Sequence, residues 1–381
     1  MSQNLTLKSI RNTLDSLRKV KAQPALSAFV STHRTHPDNK RDPIALKNAL
    51  SEAQTRIENE YDRHTAQAIM EKIDTALEGW DHNYNLDTLA IFATDSDAKV
   101  LRLPLDASER VVVDERFSTR DLVRELSHAI HYYAVVITRE SARLIEAVNG
   151  RVVREFDADT PEQNTPKMLN TPFPIKNTLH SSSADRTAAS NEDNHLKEFF
   201  NRVDKSVQEL RARAGEDNIP LFVIGDSRNI SFYQEVCDRP EIIVGSADKV
   251  TQLEDGCALH IIQSIQDEVE AYRGRQQQAA KEGISQARSQ NRLLVDLQDI
   301  YRSAYQGAGD TLYVRMGYMQ PARVDETQQT LVAVEDASGE GVNDDVVGDI
   351  IDLVKNNGGQ VVFLPSDIIG EQQDIALSTR F

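Results

Sequence analysis

Thr165-Pro-Lys-Met-Leu-Asn-Thr-Pro-Phe-Pro-Ile-Lys-Asn-Thr-Leu-His-Ser-Ser-Ser-Ala-Asp-Arg-Thr-Ala-Ala-Ser190 stands at the centre of a stretch, 157–194, that is rich in Thr, Ser, Asn, Pro and Ala and has no apolar period. Regular pieces flank it. On its N-terminal side Tyr133-Ala-Val-Val-Ile-Thr138 and Ala142-Arg-Leu-Ile-Glu-Ala-Val148 read as strands, and Asn149-Gly150 turns the second into Arg151-Val-Val-Arg-Glu-Phe156. On its C-terminal side Leu196, Phe199, Phe200, Val203, Val207 and Leu210 recur at helical spacing, which predicts a helix over 194–214. Connections longer than about 12–15 residues are uncommon inside compact domains, and are functional or disordered when they occur. Between Thr165 and Ser190, Lys167, Lys176 and Arg186 face a single acid, Asp185, in a chain that is acidic elsewhere. A long polar arm with a local cationic excess suits contact with a nucleic-acid backbone; composition alone equally allows an insertion with no task.

At 381 residues the chain exceeds the size at which single cores stop growing, so two or three domains are expected. Hydrophobic residues make up 39% of it, enough for packed cores, and no apolar run reaches about 20 residues, so no membrane-spanning helix is expected. Met1-Ser-Gln-Asn-Leu-Thr-Leu-Lys-Ser-Ile10 lacks the basic-then-apolar order of a signal peptide, and a cytoplasmic protein is expected. Cys237 and Cys257 stand apart with no CxxC and no histidine pattern. That argues against a zinc site or a disulfide framework and for two small buried residues. The net charge of -17 opposes long-range encounter with a polyanion. Its distribution matters more: Glu326, Glu335, Asp336, Glu340, Asp344 and Asp345 crowd one segment with no basic neighbour, whereas the arm and the segment after the first strand are locally positive.

Taken in order, the apolar spacing predicts three consecutive α/β domains. Over 1–130, a helix with Leu7, Ile10, Leu14 and Leu17 on one face precedes a buried strand, Ala25–Ser31. Asp42 then caps a helix with Pro43 at its first position. A helix over 66–77, strands at 88–94, 100–103 and 111–113, and a helix over 122–130 complete this part. Over 131–272, the hairpin, arm and helix lead to Pro220-Leu-Phe-Val-Ile-Gly225, a strand buried on both faces. A helix over 230–236, a strand at 242–244 and a helix from Cys257 follow, the last running into the polar stretch Gln276–Glu282, read as a hinge. Over 273–381, a helix carrying Leu293, Leu297, Ile300 and Ala304, strands at 311–315 and 330–334, a helix over 344–357 and strands at 361–364 and 375–377 make an αβα layer.

No Gly-rich phosphate loop, dinucleotide fingerprint, HExxH or GxSxG motif is present. His33 and His36 stand three apart without a further ligand at convincing spacing, so no metal or other cofactor is expected. His33, Arg34, His36, Lys40, Arg41 and Lys47 outnumber Asp38 and Asp42 and are a candidate phosphate-contacting segment; a solvated loop with its arginine packed on the first helix is the plain alternative. Gly358-Gly359-Gln360 spells the catalytic triplet of peptide-chain release factors, but it follows an amphipathic helix and leads into a hydrophobic strand. Glycine there ends a helix, which predicts a cap and not a catalytic tip.

The order of features is more specific than any of them alone. A Thr-His-Arg segment after the first strand, the hairpin around Thr138-Arg-Glu-Ser-Ala-Arg-Leu144, a long loop before a helix, the strand Phe222-Val-Ile-Gly225 and the terminal Ile375-Ala-Leu-Ser-Thr-Arg-Phe381 together resemble the bacterial relatives of archaeo-eukaryotic peptide-chain release factors, over essentially the whole chain. The sequence is most similar to ribosome hibernation members of that group. The resemblance implies a release factor and Pelota architecture. It implies an arm that enters the peptidyl transferase centre, a first domain at the decoding centre and a third domain facing ribosomal stalk-base proteins. In the family the arm carries Gly-Gly-Gln; here Met168–Arg186 does not. A release loop needs glycines for close backbone approach to the ester, so the resemblance implies a non-enzymatic factor that occupies the ribosomal A site without hydrolysis. Phe173, Lys176, Asn177, His180, Ser182 and Arg186 would then meet 23S rRNA, with Phe173 stacked on an unpaired base, and His33, Arg34, His36, Lys40 and Arg41 would meet 16S rRNA. Elongation factor Tu is the delivery partner the resemblance suggests. The alternative is an active release or rescue enzyme working through a loop without Gly-Gly-Gln, with His180 as its candidate group.

Overall fold

The computed structural model of the chain describes residues 7–18, 20–119, 122, 126, 129–156, 172–178, 189–214, 219–325, 330–334, 342–343, 345–369 and 373–380. It is a mixed α/β protein with two compact units, Met1–Val269 and Glu270–Phe381.

The first unit begins with α1 (Leu7–Arg18), β1 (Lys21–Ser31), α2 (Asp42–Glu60), α3 (Arg63–Leu77), β2 (Thr88–Ala93), β3 (Ala98–Leu103) and β4 (Arg110–Arg116). The strands form an antiparallel sheet in the order β3-β2-β1-β4. Side chains alternate across a strand, and both faces of β1 are covered. Leu26, Ala28 and Val30 lie with Leu46, Ala53, Ile57, Ile69 and Ile73 of α2 and α3, while Ala25 and Phe29 lie with Ile10, Leu14 and Leu17 of α1. That double burial is why the strand reads as an unbroken apolar run. Of the expected helix over 122–130, Leu122 and Leu126 are buried in the second of these clusters, and much of the rest lies outside the described residues.

The same unit continues with β5 (His131–Ile137), β6 (Ser141–Val148), β7 (Arg151–Glu155), β8 (Ile175–Lys176), α4 (Ala189–Ala214), β9 (Leu221–Ile224), α5 (Ser227–Val236), β10 (Ile243–Ala247), α6 (Ala258–Ser264) and α7 (Gln266–Ser289), which runs on past Val269. Its sheet has the order β10-β9-β5-β6-β7, parallel from β10 to β5 and antiparallel from β5 to β7, with β8 on the free stretch of β6. The six apolar positions of α4 cover one face together with Tyr133, Val135, Leu144 and Val223. α4 starts at Ala189, earlier than its apolar period shows, because its first turns are polar. The polar stretch Gln276–Glu282 lies inside α7 as continuous helix.

The second unit adds β11 (Leu293–Leu294), α8 (Leu297–Tyr305), β12 (Gly309–Arg315), β13 (Ala322–Asp325), β14 (Thr330–Ala333), β15 (Val342–Asn343), α9 (Val346–Asn356), β16 (Gln360–Leu364), α10 (Ser366–Ile369) and β17 (Ile375–Thr379). One sheet runs β11-β17-β12-β16, a smaller one β14-β13-β15. Ile300, Ala304, Val347, Ile350 and Val354 of α8 and α9 cover one face of the larger sheet, and Ala280 and Ile284 of α7 pack with Tyr313 and Ala376 on the other. Leu293 was expected in a helix. It sits in β11, paired with Ser378, because Asp296 caps α8 only afterwards, accepting from the amides of Gln298 and Asp299 at 3.0 and 3.1 Å.

Gly358-Gly359-Gln360 is a helix stop. Gly358 has φ +75°, its amide donates to Lys355 O at 3.0 Å and that of Gly359 to Val354 O at 2.8 Å, the paired bonds of a Schellman motif; Gln360 opens β16 beside Thr311. Cys237 is buried, but Cys257 is exposed at the start of α6, contrary to the expectation that both are core residues.

Candidate nucleic-acid interface

Among the described residues, Phe156 is buried at the end of the second sheet, and the next described segment, 172–178, lies against that sheet. There β8 adds a short strand to β6, Ile175 opposite Ala142 and Lys176 opposite Ser141. The Asn177 amide donates to Glu140 O at 2.7 Å and its Nδ2 to Arg139 O at 2.8 Å. Phe173 is 3% exposed and lies in the main core with Ile175, Leu196 and Phe199. The expected stacking role for Phe173 is therefore corrected: its ring anchors the root of the arm and offers no face to a base. The sequence held a signal for this, since Phe173-Pro-Ile-Lys176 alternates apolar and exposed positions at the period of a strand. Of the expected arm residues, Lys176 is exposed on β8 and Asn177 is held at the hairpin; His180, Ser182 and Arg186 lie outside the described residues. Beside the root, Arg139 pairs with Glu192 at 3.2 Å and Arg228 with Asp193 at 2.5 Å, so α4 is tied near its start to the turn between β5 and β6 and to α5.

The other expected segment, Thr32 to Arg41, is built around a buried carboxylate. Asp42 is fully buried; it accepts from the His33 amide at 3.1 Å, from His33 Nδ1 at 2.8 Å and from Asn85 Nδ2 at 2.8 Å. A 3-10 turn over Asp38–Arg41 runs straight into α2, so Arg41 occupies the cap position without a side-chain bond, and Asp42, expected to cap the helix, turns inward. A second loop is thereby pinned to the first. Asn39 Nδ2 donates to Asn83 Oδ1 at 3.3 Å, Thr32 Oγ1 donates to Leu86 O at 2.8 Å, and Asn85 also meets His82 Nδ1 at 3.2 Å.

The pinned loops present His33, His36, Lys40, Arg41 and, one turn into α2, Lys47 as exposed residues. Among the described residues Lys40, Arg41 and Lys47 have no ion-pair partner. Arg34 behaves differently. Its guanidinium, 19% exposed, grips Asp87 through Nε at 2.8 Å and Nη2 at 2.5 Å, and also donates to the Val152 carbonyl of β7. The assignment of Arg34 as an RNA contact is therefore corrected: it bridges the first sheet to the hairpin of the second. Arg151 completes the bridge, reaching Asp87 at 3.2 Å and Asp106 at 2.5 Å. Burial would raise the Asp87 carboxyl, but the two arginines outweigh it and hold it below the usual carboxylate range. Among the described residues no three His, Cys, Asp or Glu side chains converge on a possible metal position, and no helix is long and apolar enough to cross a membrane.

Residues 131–308 match the model of bacterial archaeo-eukaryotic release factor family 3. Among solved structures the chain is similar to an archaeal translation termination factor, aRF1, at 14% identity, covering 99% of each chain with a TM-score of 0.26. It is also similar to Pelota from Archaeoglobus fulgidus, at 11% identity over 99% of this chain and 93% of that one with a TM-score of 0.29. For archaeal Pelota in a ribosome-bound model with ABCE1 the values are 14%, 99% and 94%, with a TM-score of 0.43. No curated protein matches. The match to bacterial archaeo-eukaryotic release factor family 3 spans the hairpin, the arm and the segments that follow them.

Proposed function

We propose that this protein is a ribosome-binding translation factor that occupies the A site and blocks synthesis without hydrolysing peptidyl-tRNA. The observation that carries ribosome binding is the set of exposed cations Lys40, Arg41 and Lys47, without ion-pair partners among the described residues, on hydrogen-bonded loops in a chain with a net charge of -17. Cations clustered on one face are the electrostatic footprint of contact with a phosphate backbone. Support for a non-hydrolytic role comes from the arm, which stands between a hairpin and a helix in a release-factor relative yet lacks Gly-Gly-Gln, while the triplet at Gly358 is folded into a helix cap. Contact of residues 273–381 with stalk-base proteins and delivery by elongation factor Tu belong to the same proposal.

Co-sedimentation of the full chain with vacant bacterial ribosomes, followed by a peptide-release assay on stalled ribosomes, tests it. Salt-sensitive binding with no release above background is expected. Binding that is absent or indifferent to salt overturns ribosome occupancy; release that His180→Ala abolishes overturns the non-hydrolytic role in favour of a rescue enzyme. A change confined to the arm must spare Phe173 and Ile175, since removing 168–186 would also take out core side chains. Replacing 179–186 with a Gly/Ser linker meets that condition.

A further inference from the structure

Tyr84 is exposed in a loop joined to the cationic segment. It lies in the loop pinned to the cationic segment, between Asn83, which bonds Asn39, and Asn85, which bonds Asp42. Its side chain is 52% exposed and has no hydrogen-bond, ion-pair or ring partner among the described residues. The neighbouring aromatic, Trp80, is spent differently: Arg102 lies 3.8 Å above its ring and its Nε1 donates to Asn85 Oδ1 at 3.2 Å. Tyr84 is thus an open aromatic that ends a 3-10 turn, His82–Tyr84, whose cap Asp81 accepts from the Asn83 amide at 2.9 Å. The link between Asn39 and Asn83 brings this turn beside Lys40 and Arg41. Acids are close as well, Asp38 on one loop and Asp81 on the other, but Asp81 is engaged as a cap.

An open aromatic beside unpaired cations has the composition of a surface for unpaired nucleotides, where the ring stacks on a base and the cations hold flanking phosphates. We infer that Tyr84 is the base-stacking residue of this platform and that its occupant is an unpaired nucleotide of RNA, with Lys40 and Arg41 on the adjoining phosphates. The inference rests on the ribosome-binding proposal and adds to it a second loop and the stacking group that Phe173 cannot supply.

Ribosome binding is measured for the full chain and for Tyr84→Ala, Tyr84→Leu, Tyr84→Phe and Lys40→Ala/Arg41→Ala across a salt series. Tyr61, 41% exposed at the far end of α2, supplies Tyr61→Ala as control; a helix of that length spans about 28 Å. Expected results are a loss of about tenfold or more for Tyr84→Ala and Tyr84→Leu, with the salt slope unchanged. Tyr84→Phe and Tyr61→Ala should bind within about twofold of wild type, and the double alanine variant should lower the slope by about 1.5. If Tyr84→Ala binds like wild type while the double variant is weakened, the stacking inference fails and ribosome binding stands. If Tyr84→Leu keeps full affinity, the contact is apolar and stacking is likewise overturned. Failure of the wild-type chain to bind overturns both.

Discussion

Glu146 has no access to solvent, and its carboxylate lies 2.8 Å from His131 Nε2 and 2.6 Å from Arg154 Nε. Burial alone would raise its pKa; Arg154 and His131 prevail and bring it to about 2. A folded-state value below the ordinary carboxylate value means stability that is fully present above about pH 4.5 and is lost as pH falls toward about 2. The group contributes on the order of 3 kcal/mol at neutral pH. Glu146→Gln should lower stability by about 3 kcal/mol at pH 7, because Arg154 is left buried beside a neutral partner. It should also flatten the acid limb of the stability curve, read by denaturant titration from pH 7 to pH 3. At the same scale, Phe173→Ala should lower stability by about 3–5 kcal/mol and Phe173→Leu by under about 1.5 kcal/mol. A surface stacking residue would instead leave thermal unfolding unmoved. Aromatic residues in polar loops read equally well as binding groups and as anchors. What decided against binding was the partner strand, β6, whose pairing with 175–176 no local pattern specifies.

Elements with a clean period were legible in the sequence: the α4 stripe, the continuous apolar run of β9 and the αβα layer of the second unit all follow from spacing. What was hidden were contacts between loops distant in the chain. Asp42 before a proline has the local look of a helix cap, yet the preceding 3-10 turn makes a cap unnecessary and frees the carboxylate to hold His33 and Asn85. Arg34 stands among charged neighbours in the sequence, but its partner Asp87 lies more than fifty residues away. The cation cluster itself was legible, and the structure adds which members are open. Asp42→Ala should remove the pin from both loops at once. Amide exchange over 33–41 and 80–87 should quicken by about tenfold or more, matching the loss of a fully buried, hydrogen-bonded carboxylate. Exchange in β1 and β2 should change far less. A uniform rise across the first sheet would mean that Asp42 supports the whole fold and not the platform.

At the scale of the whole molecule, an acidic protein meeting RNA is governed by two opposed fields. The net charge of -17 would repel the polyanion beyond a screening length, while Lys40, Arg41, Lys47 and Lys176 would attract it at contact under the proposed function. Equilibrium affinity counts counterions released at contact, so four lysine and arginine contacts give a slope of log K against log salt of about -3, shallow for a nucleic-acid binder. The association rate samples the long-range field, which salt relieves. Added salt should therefore weaken binding at equilibrium while leaving the association rate flat or slightly raised, placing the loss in the dissociation rate. Stopped-flow association and sedimentation over about 50 to 200 mM salt separate the two. An association rate that falls steeply with salt would show that a cationic surface larger than the platform and Lys176 guides the encounter, and a slope near zero would remove phosphate contact from the account altogether.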